Sequence, residues 1–132
     1  MGRTHCLVPA ALAAWLFGPD PTILLISAGT GLLPDIDEPQ STIGYRLFLL
    51  AKGFKGLVGH RTYSHSLVGI VTAASLAVIF DLPWIWIEAG LIGWVSHLVL
   101  DALSGGVPLW WPLYATNRER LVLARWKPFG FA

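Results

Sequence analysis

Apolar residues run along this chain in long stretches rather than alternating with polar ones. Thr62 to Phe80 is 19 residues without Asp, Glu, Lys or Arg. As a helix it is about 28 Å long, close to the hydrocarbon thickness of a bilayer. Leu82 to Leu100 is a second such run, interrupted by Glu88 and His97. Thr4–Pro19 and Pro21–Pro34 are shorter apolar runs on either side of Asp20. Their length, roughly 20–24 Å by helical rise, suits short spans or a re-entrant helical hairpin. Gly18-Pro19-Asp20-Pro21, Leu33-Pro34-Asp35, Asp81-Leu82-Pro83 and Ser104-Gly105-Gly106-Val107-Pro108 break the runs. Proline removes a helical donor, and glycine and aspartate favour turns.

The pattern predicts one all-α domain over residues 1–132, an integral membrane bundle of about four short transmembrane helices. They fall at about 5–17, 22–33, 64–80 and 84–103. Residues 42–58 mix apolar and basic side chains and read as a helix lying at the interface. Residues 117–132, with Arg118, Arg120, Arg125 and Lys127, read as a cytoplasmic tail on anionic headgroups. The first helix, with Arg3 ahead of an apolar run, also has the form of a signal peptide. A role for His5 in the polar cluster described below favours the helix.

Composition agrees with a membrane protein. Of 132 residues, 55% are hydrophobic and 13% charged, against about 25% charged in soluble domains. The mean hydropathy is +0.61. A single cysteine, Cys6, excludes a disulfide-built module. The net charge of +1 points to no nucleic-acid partner. Basic residues fix the expected orientation. Arg46, Lys52, Lys55 and Arg61 lie in the 34–63 connection, and the turns at 18–21 and 81–83 carry aspartate alone. The positive-inside rule then puts both termini and the middle connection in the cytoplasm. Trp84, Trp86, Trp110 and Trp111 sit where an aromatic belt is expected.

On this topology the polar residues gather at one end. His5 opens the first helix, and Asp35, Asp37 and Glu38 close the second. His60 and His65 flank the start of the third, and His97 and Asp101 lie near the end of the fourth. His97 and Asp101 are four apart, so a helix presents both on one face. That spacing suits two ligands on one metal ion, and equally an ion pair between helices. Ionisable side chains within an apolar helix mark a functional site by default. Alternating Asp35 and Asp37 in an extended turn would direct both carboxylates to one side. At a helix C-terminus the macrodipole disfavours these anions unless a cation is near. His60 and His65 converge if the helix begins between them, with Thr62 or Ser64 as its N-cap. Four histidines and three aspartates suit one or two divalent ions held by nitrogen and oxygen: zinc first, manganese or iron next.

These motifs resemble the LexA-regulated, inner-membrane-associated metal-dependent hydrolases of bacteria and archaea. The resemblance rests on His5, Leu32-Leu33-Pro34-Asp35-Ile36-Asp37-Glu38-Pro39, Gly59-His60-Arg61 with Ser64-His65-Ser66, and Gly93-Trp94-Val95-Ser96-His97-Leu98-Val99-Leu100-Asp101 leading to Gly106-Val107-Pro108-Leu109-Trp110-Trp111-Pro112. That family is distantly similar to zinc-dependent phospholipase C. The resemblance implies His5, Asp35, Asp37, His60, His65, His97 and Asp101 as ligands or catalytic groups. Ser64 stands where the family more often has threonine.

The expected function is therefore a membrane-embedded metal-dependent hydrolase of the inner membrane. Its substrate would be an ester or phosphoester of a lipid at the cytoplasmic interface. Asp35 or Asp37 would serve as general base, and Arg61 would steady developing negative charge. A metal-binding scaffold without turnover is the alternative, and an ion transporter ranks below both. The transporter ranks low because the polar residues cluster at one end rather than forming a path across the bilayer, with only Glu88 expected deep or near the far side.

Overall fold

The computed structural model describes residues 2–37 and 63–113. Four helices and no strand occur among these residues: α1 (Gly2–Phe17), α2 (Pro21–Thr30), α3 (Leu67–Ile79) and α4 (Trp84–Ser104). A short 3₁₀ turn, Leu33–Asp37, follows α2. The predicted interfacial helix at 42–58 and the tail at 117–132 lie outside the described residues.

Each boundary has a local cause. Gly18, at φ +83, ends α1 in the left-handed region open to glycine. Asp20 then caps α2, its carboxylate accepting from the amides of Thr22 and Ile23 at 2.8 and 3.1 Å, with Pro21 in the first turn. The α-helix stops at Thr30 rather than at the predicted residue 33. Gly31 is its C-cap, and Pro34 lies in the tighter 3₁₀ turn instead. The third helix starts at Leu67, not at 64. Ser66 caps it, accepting from the Gly69 amide at 3.4 Å while donating to the Tyr63 carbonyl at 2.7 Å. Ser66 takes the place expected of Ser64, so His65 precedes the helix; Thr62, the other expected cap, lies outside the described residues. Asp81, at φ 52, makes the tight turn into α4.

Length separates the helices. At 21 residues, α4 is the one helix among the described residues long and apolar enough to cross a membrane. The 16, 10 and 13 residues of α1, α2 and α3 rise about 24, 15 and 20 Å. Four full spans are therefore not shown.

Large apolar side chains face outward, and a group of polar side chains is buried beside small apolar clusters. Trp15, Leu25, Val71 and Ile79 are exposed, whereas His5, Ser27, Asp35, His65, Ser66, Ser96 and His97 are buried. Exposed apolar surface of this extent suits lipid as the surrounding medium. α1, α2 and α4 pack together around Ala13, Ile23 and Ala89. Leu98, Ala102 and Val107 form a second cluster with Ile70 and Trp94. There the chain beyond α4 returns to the start of α3, and the Leu67 amide donates to Leu109 at 3.0 Å. Small residues set the closest crossing. A Cβ on Gly93 would collide with the Ser27 carbonyl and the Thr30 hydroxyl, so α4 lies against the backbone of α2 there. A Cβ on Gly31 would likewise meet the His5 carbonyl and the Pro9 ring.

Candidate metal centre

The site forms where α1 begins, α2 ends, α3 is about to begin and α4 runs toward its end. His97 lies on the inner face of α4 and is fully buried. Its Nδ1 is 2.7 Å from the Gly31 carbonyl oxygen. A carbonyl only accepts, so Nδ1 carries the proton and Nε2 presents a lone pair. That lone pair faces His65 Nε2 at 3.3 Å. On the far side of the His65 ring, Nδ1 is 3.0 Å from Ser64 Oγ. Trp94 holds the backbone beneath, its indole donating to the Ser64 carbonyl at 2.9 Å.

Two carboxylates complete the group. Asp101 Oδ2 is 3.3 Å from His65 Nε2 and 3.4 Å from His97 Nε2. Asp35 Oδ1, supplied by the 3₁₀ turn, stands slightly farther off, at 3.8 and 3.7 Å from the same nitrogens. One ligand atom from each of Asp35, His65, His97 and Asp101 lies within 4.8 Å of all the others, so the four could hold a metal ion. Ligands at about 2.0–2.2 Å around a tetrahedral ion are themselves about 3.3–3.6 Å apart. The observed separations fall in or just above that range. Imidazole and carboxylate donors with no thiolate suit a borderline divalent ion.

His5 takes a different position. Its Nε2 is 2.9 Å from Asp101 Oδ1, the oxygen turned away from His65 and His97. Its ring meets that of His97 edge-on, with centroids 4.2 Å apart. His5 thus orients the Asp101 carboxylate from behind and does not join the four-atom group. Such outer contacts fix the direction of a ligand and tune its basicity.

The sequence matches the model for the YdjM inner membrane protein over residues 1–132. The chain belongs to the YdjM family. Among its relatives is YvsG of Bacillus subtilis (strain 168), 38% identical over 128 residues that cover 92% of this chain and 78% of YvsG. The inner membrane protein YdjM of Escherichia coli (strain K12) is 38% identical over 91 residues, 63% of this chain and 45% of its own length. YdjM of Shigella flexneri matches to the same extent. The chain thus spans less than half the length of these two YdjM relatives. No solved structure matches it. Family membership supports an inner-membrane location. Neither the YdjM family description nor these relatives' names speak of hydrolysis or of a likeness to phospholipase C.

The other expected site residues fall as follows. His60, Arg61 and Glu38 lie outside the described residues. Asp37 ends the 3₁₀ turn, and its side chain is likewise outside the description. The extended turn expected to align Asp35 with Asp37 is absent, because the backbone is 3₁₀ there, with three residues per turn. Three contributors have no role assigned to them from the sequence: the Gly31 carbonyl, Gly93 and the Trp94 indole. Gly93 stands four residues before His97, so a small residue and a ligand share one helix face. That pairing within Gly93-x-x-x-His97-x-x-x-Asp101 was the available signal for a YdjM-family member.

Proposed function

We propose that this YdjM-family protein is a metal-dependent hydrolase of the inner membrane, acting on an ester or phosphoester of a lipid at the cytoplasmic face. One divalent ion is the cofactor, zinc before manganese or iron. One observation carries the reading: His65 Nε2, His97 Nε2 and Asp101 Oδ2 are spaced 3.3–3.4 Å apart, each able to offer a lone pair to one centre.

His65, His97 and Asp101 would hold the ion. Bound there, it would supply a Lewis acid and lower the pKa of a water to about 7. The longer separations of Asp35 suit a neighbouring role, accepting the proton of that water as general base. Three protein ligands with an open fourth position is the pattern of catalytic rather than structural zinc. The side chains of Asp35 and Asp101 keep 13% exposure, whereas those of His65 and His97 have almost none. A substrate would therefore approach from the carboxylate side.

A metal-binding scaffold without turnover is the second reading, favoured by the near-complete burial of the two imidazoles. Elemental mass spectrometry of detergent-purified protein, followed by assay on phospholipid, lysolipid and a generic phosphoester, separates the two. About one equivalent of metal, lost in His97→Ala and Asp101→Ala, with turnover in the wild type, supports the hydrolase. Metal without turnover on any of these substrates supports the scaffold. Folded protein that refuses zinc and manganese overturns both.

A further inference from the structure

Beside the metal centre lies a cavity of about 250 Å³ between α2, α3 and α4. We propose that it is a binding site for a single lipid acyl chain whose headgroup lies at the metal centre. This inference rests on the hydrolase reading and names the substrate as a lipid held by one chain.

Four observations point to this occupant. First, the lining is almost wholly apolar. Its one hydroxyl, on Thr30, is turned back to the carbonyls of Ile26 and Ser27 at 2.8 and 3.1 Å. The Trp94 indole N–H is likewise engaged by Ser64, which leaves the indole N–H of Trp86, at the end away from the metal centre, as the other polar group of the lining side chains. A polar ligand would find little to bond here, whereas a polymethylene chain loses nothing.

Second, the space is written into the sequence. Ala73, Ala74 and Ala77 line it from α3, and Gly90 lines it from α4. At Gly90 a Cβ would meet only ordinary contacts, 3.5 Å from Thr30 Cγ2 and 4.0 Å from Ile26 Cγ2. Unlike Gly93, therefore, Gly90 is not required by a close backbone crossing.

Third, the lining extends along α4. Trp94 and Leu33 line one end, and Leu82 and Trp86 line the other. Trp86 to Trp94 is about 12 Å along the helix axis, the reach of a medium-length acyl segment.

Fourth, one end adjoins the metal centre. Leu33 is two residues from Asp35, Trp94 bonds the carbonyl of Ser64 next to His65, and Thr30 precedes the Gly31 that holds His97. A chain in the cavity would leave its polar end beside the carboxylates. In an inner-membrane protein, acyl chains are the abundant ligands of this shape.

The test uses metal-loaded protein in a sterol-based detergent. The probe is a monoacyl phospholipid with a diazirine midway along its chain, and crosslinks are mapped by peptide mass spectrometry. The expected result is labelling that saturates, competes with the unlabelled lipid and falls on α3 and α4 at the lining. Ala74→Phe narrows the cavity and should reduce saturable labelling at least about tenfold, the affinity lost with room for two methylenes. Gly90→Ala adds one methyl where space exists, so it tests the same point with little risk to folding. It should cause a smaller loss, and both variants should keep the wild-type metal content.

Labelling that never saturates and spreads over outward residues such as Trp15, Leu25 and Val71 overturns the proposal. So does protection of the lining that disappears when a dimer is dissociated, because a second copy would then be the occupant. Unlabelled cavity with metal intact sinks the acyl site and leaves the hydrolase reading standing. Saturable labelling without bound metal does the reverse.

Discussion

His97 Nδ1 lies 2.7 Å from the carbonyl oxygen of Gly31, and this bond joins the longest helix to the end of α2. It is possible because two glycines remove side chains from the crossing. Gly93 lets α4 reach the α2 backbone, and Gly31 lies against the start of α1. The bond also settles which His97 nitrogen carries the proton. Packing, tautomer and the arrangement of the candidate ligand atoms are thus one structural decision.

Gly93→Ala should damage both the fold and the site. Its Cβ would run into backbone and into the Thr30 hydroxyl, so α4 must move outward. Overpacking of this kind costs about 1–3 kcal/mol. A lowered Tm in detergent and reduced zinc content are expected together. Gly90→Ala, one turn away on the open side, should leave both unchanged. Equal effects at the two positions would remove the special role assigned to the Gly93 crossing.

His5 and His97 should behave differently although both contact the cluster. His97→Ala removes a member of the four-atom group and should abolish stoichiometric metal binding. His5→Ala removes the contact at 2.9 Å behind Asp101 and the edge-on packing against the His97 ring, but no member of the four-atom group. Loss of such an outer contact lowers metal affinity about 10–100-fold. A metal titration of each variant distinguishes them. His5→Gln, which keeps a side-chain N–H donor, should recover part of the affinity; if His5→Ala binds no metal at all, His5 is a ligand.

Much of this arrangement was readable from residue positions. Long charge-free runs located α3 and α4, and Pro–Asp breaks located the turns. The gathering of Asp35, His65, His97 and Asp101 follows from placing polar residues at helix ends, since adjacent antiparallel helices bring alternate ends together. What failed was local. The α2 terminus and the start of α3 each shifted by three residues, because Gly31 and Ser66 outcompete continued helix through cap bonds. The Asp35–Asp37 alternation assumed an extended backbone, and Pro34 instead enters a 3₁₀ turn. His5 was legible as a member of the cluster, but not the part it plays there. Ligation and the bracing of Asp101 require the same residue in the same place, and only the facing carboxylate oxygen separates them.

Metal removal should loosen the bundle, because the four members of the group come from three separate stretches of chain. An ion that binds only the folded state, at about 100 times its Kd, stabilises that state by about 2.7 kcal/mol. Chelation should therefore lower the Tm, and zinc should restore it. Magnesium should not, since it prefers an octahedral oxygen shell and dehydrates reluctantly. The check is thermal unfolding of wild-type and His97→Ala protein with and without chelator. The variant should show no shift. If the wild type also shows none, the cluster holds itself together through hydrogen bonds alone.

Asp35 offers the sharpest test of turnover. Its Oδ1 stands at 3.7 and 3.8 Å from the imidazole nitrogens, against 3.3 and 3.4 Å for Asp101 Oδ2. That difference suits a group acting on a water beside the ion rather than on the ion itself. Asp35→Asn keeps the size and removes the basicity. It should retain near-stoichiometric zinc while losing about 10²–10⁴-fold in turnover, the usual contribution of a general base. Asp101→Asn weakens a ligand and should lose zinc and turnover together. Metal content and rate measured on the same preparations separate the outcomes. If Asp35→Asn sheds its zinc as readily as Asp101→Asn, Asp35 is a fourth ligand. The shell would then be closed, and the scaffold reading would replace the hydrolase.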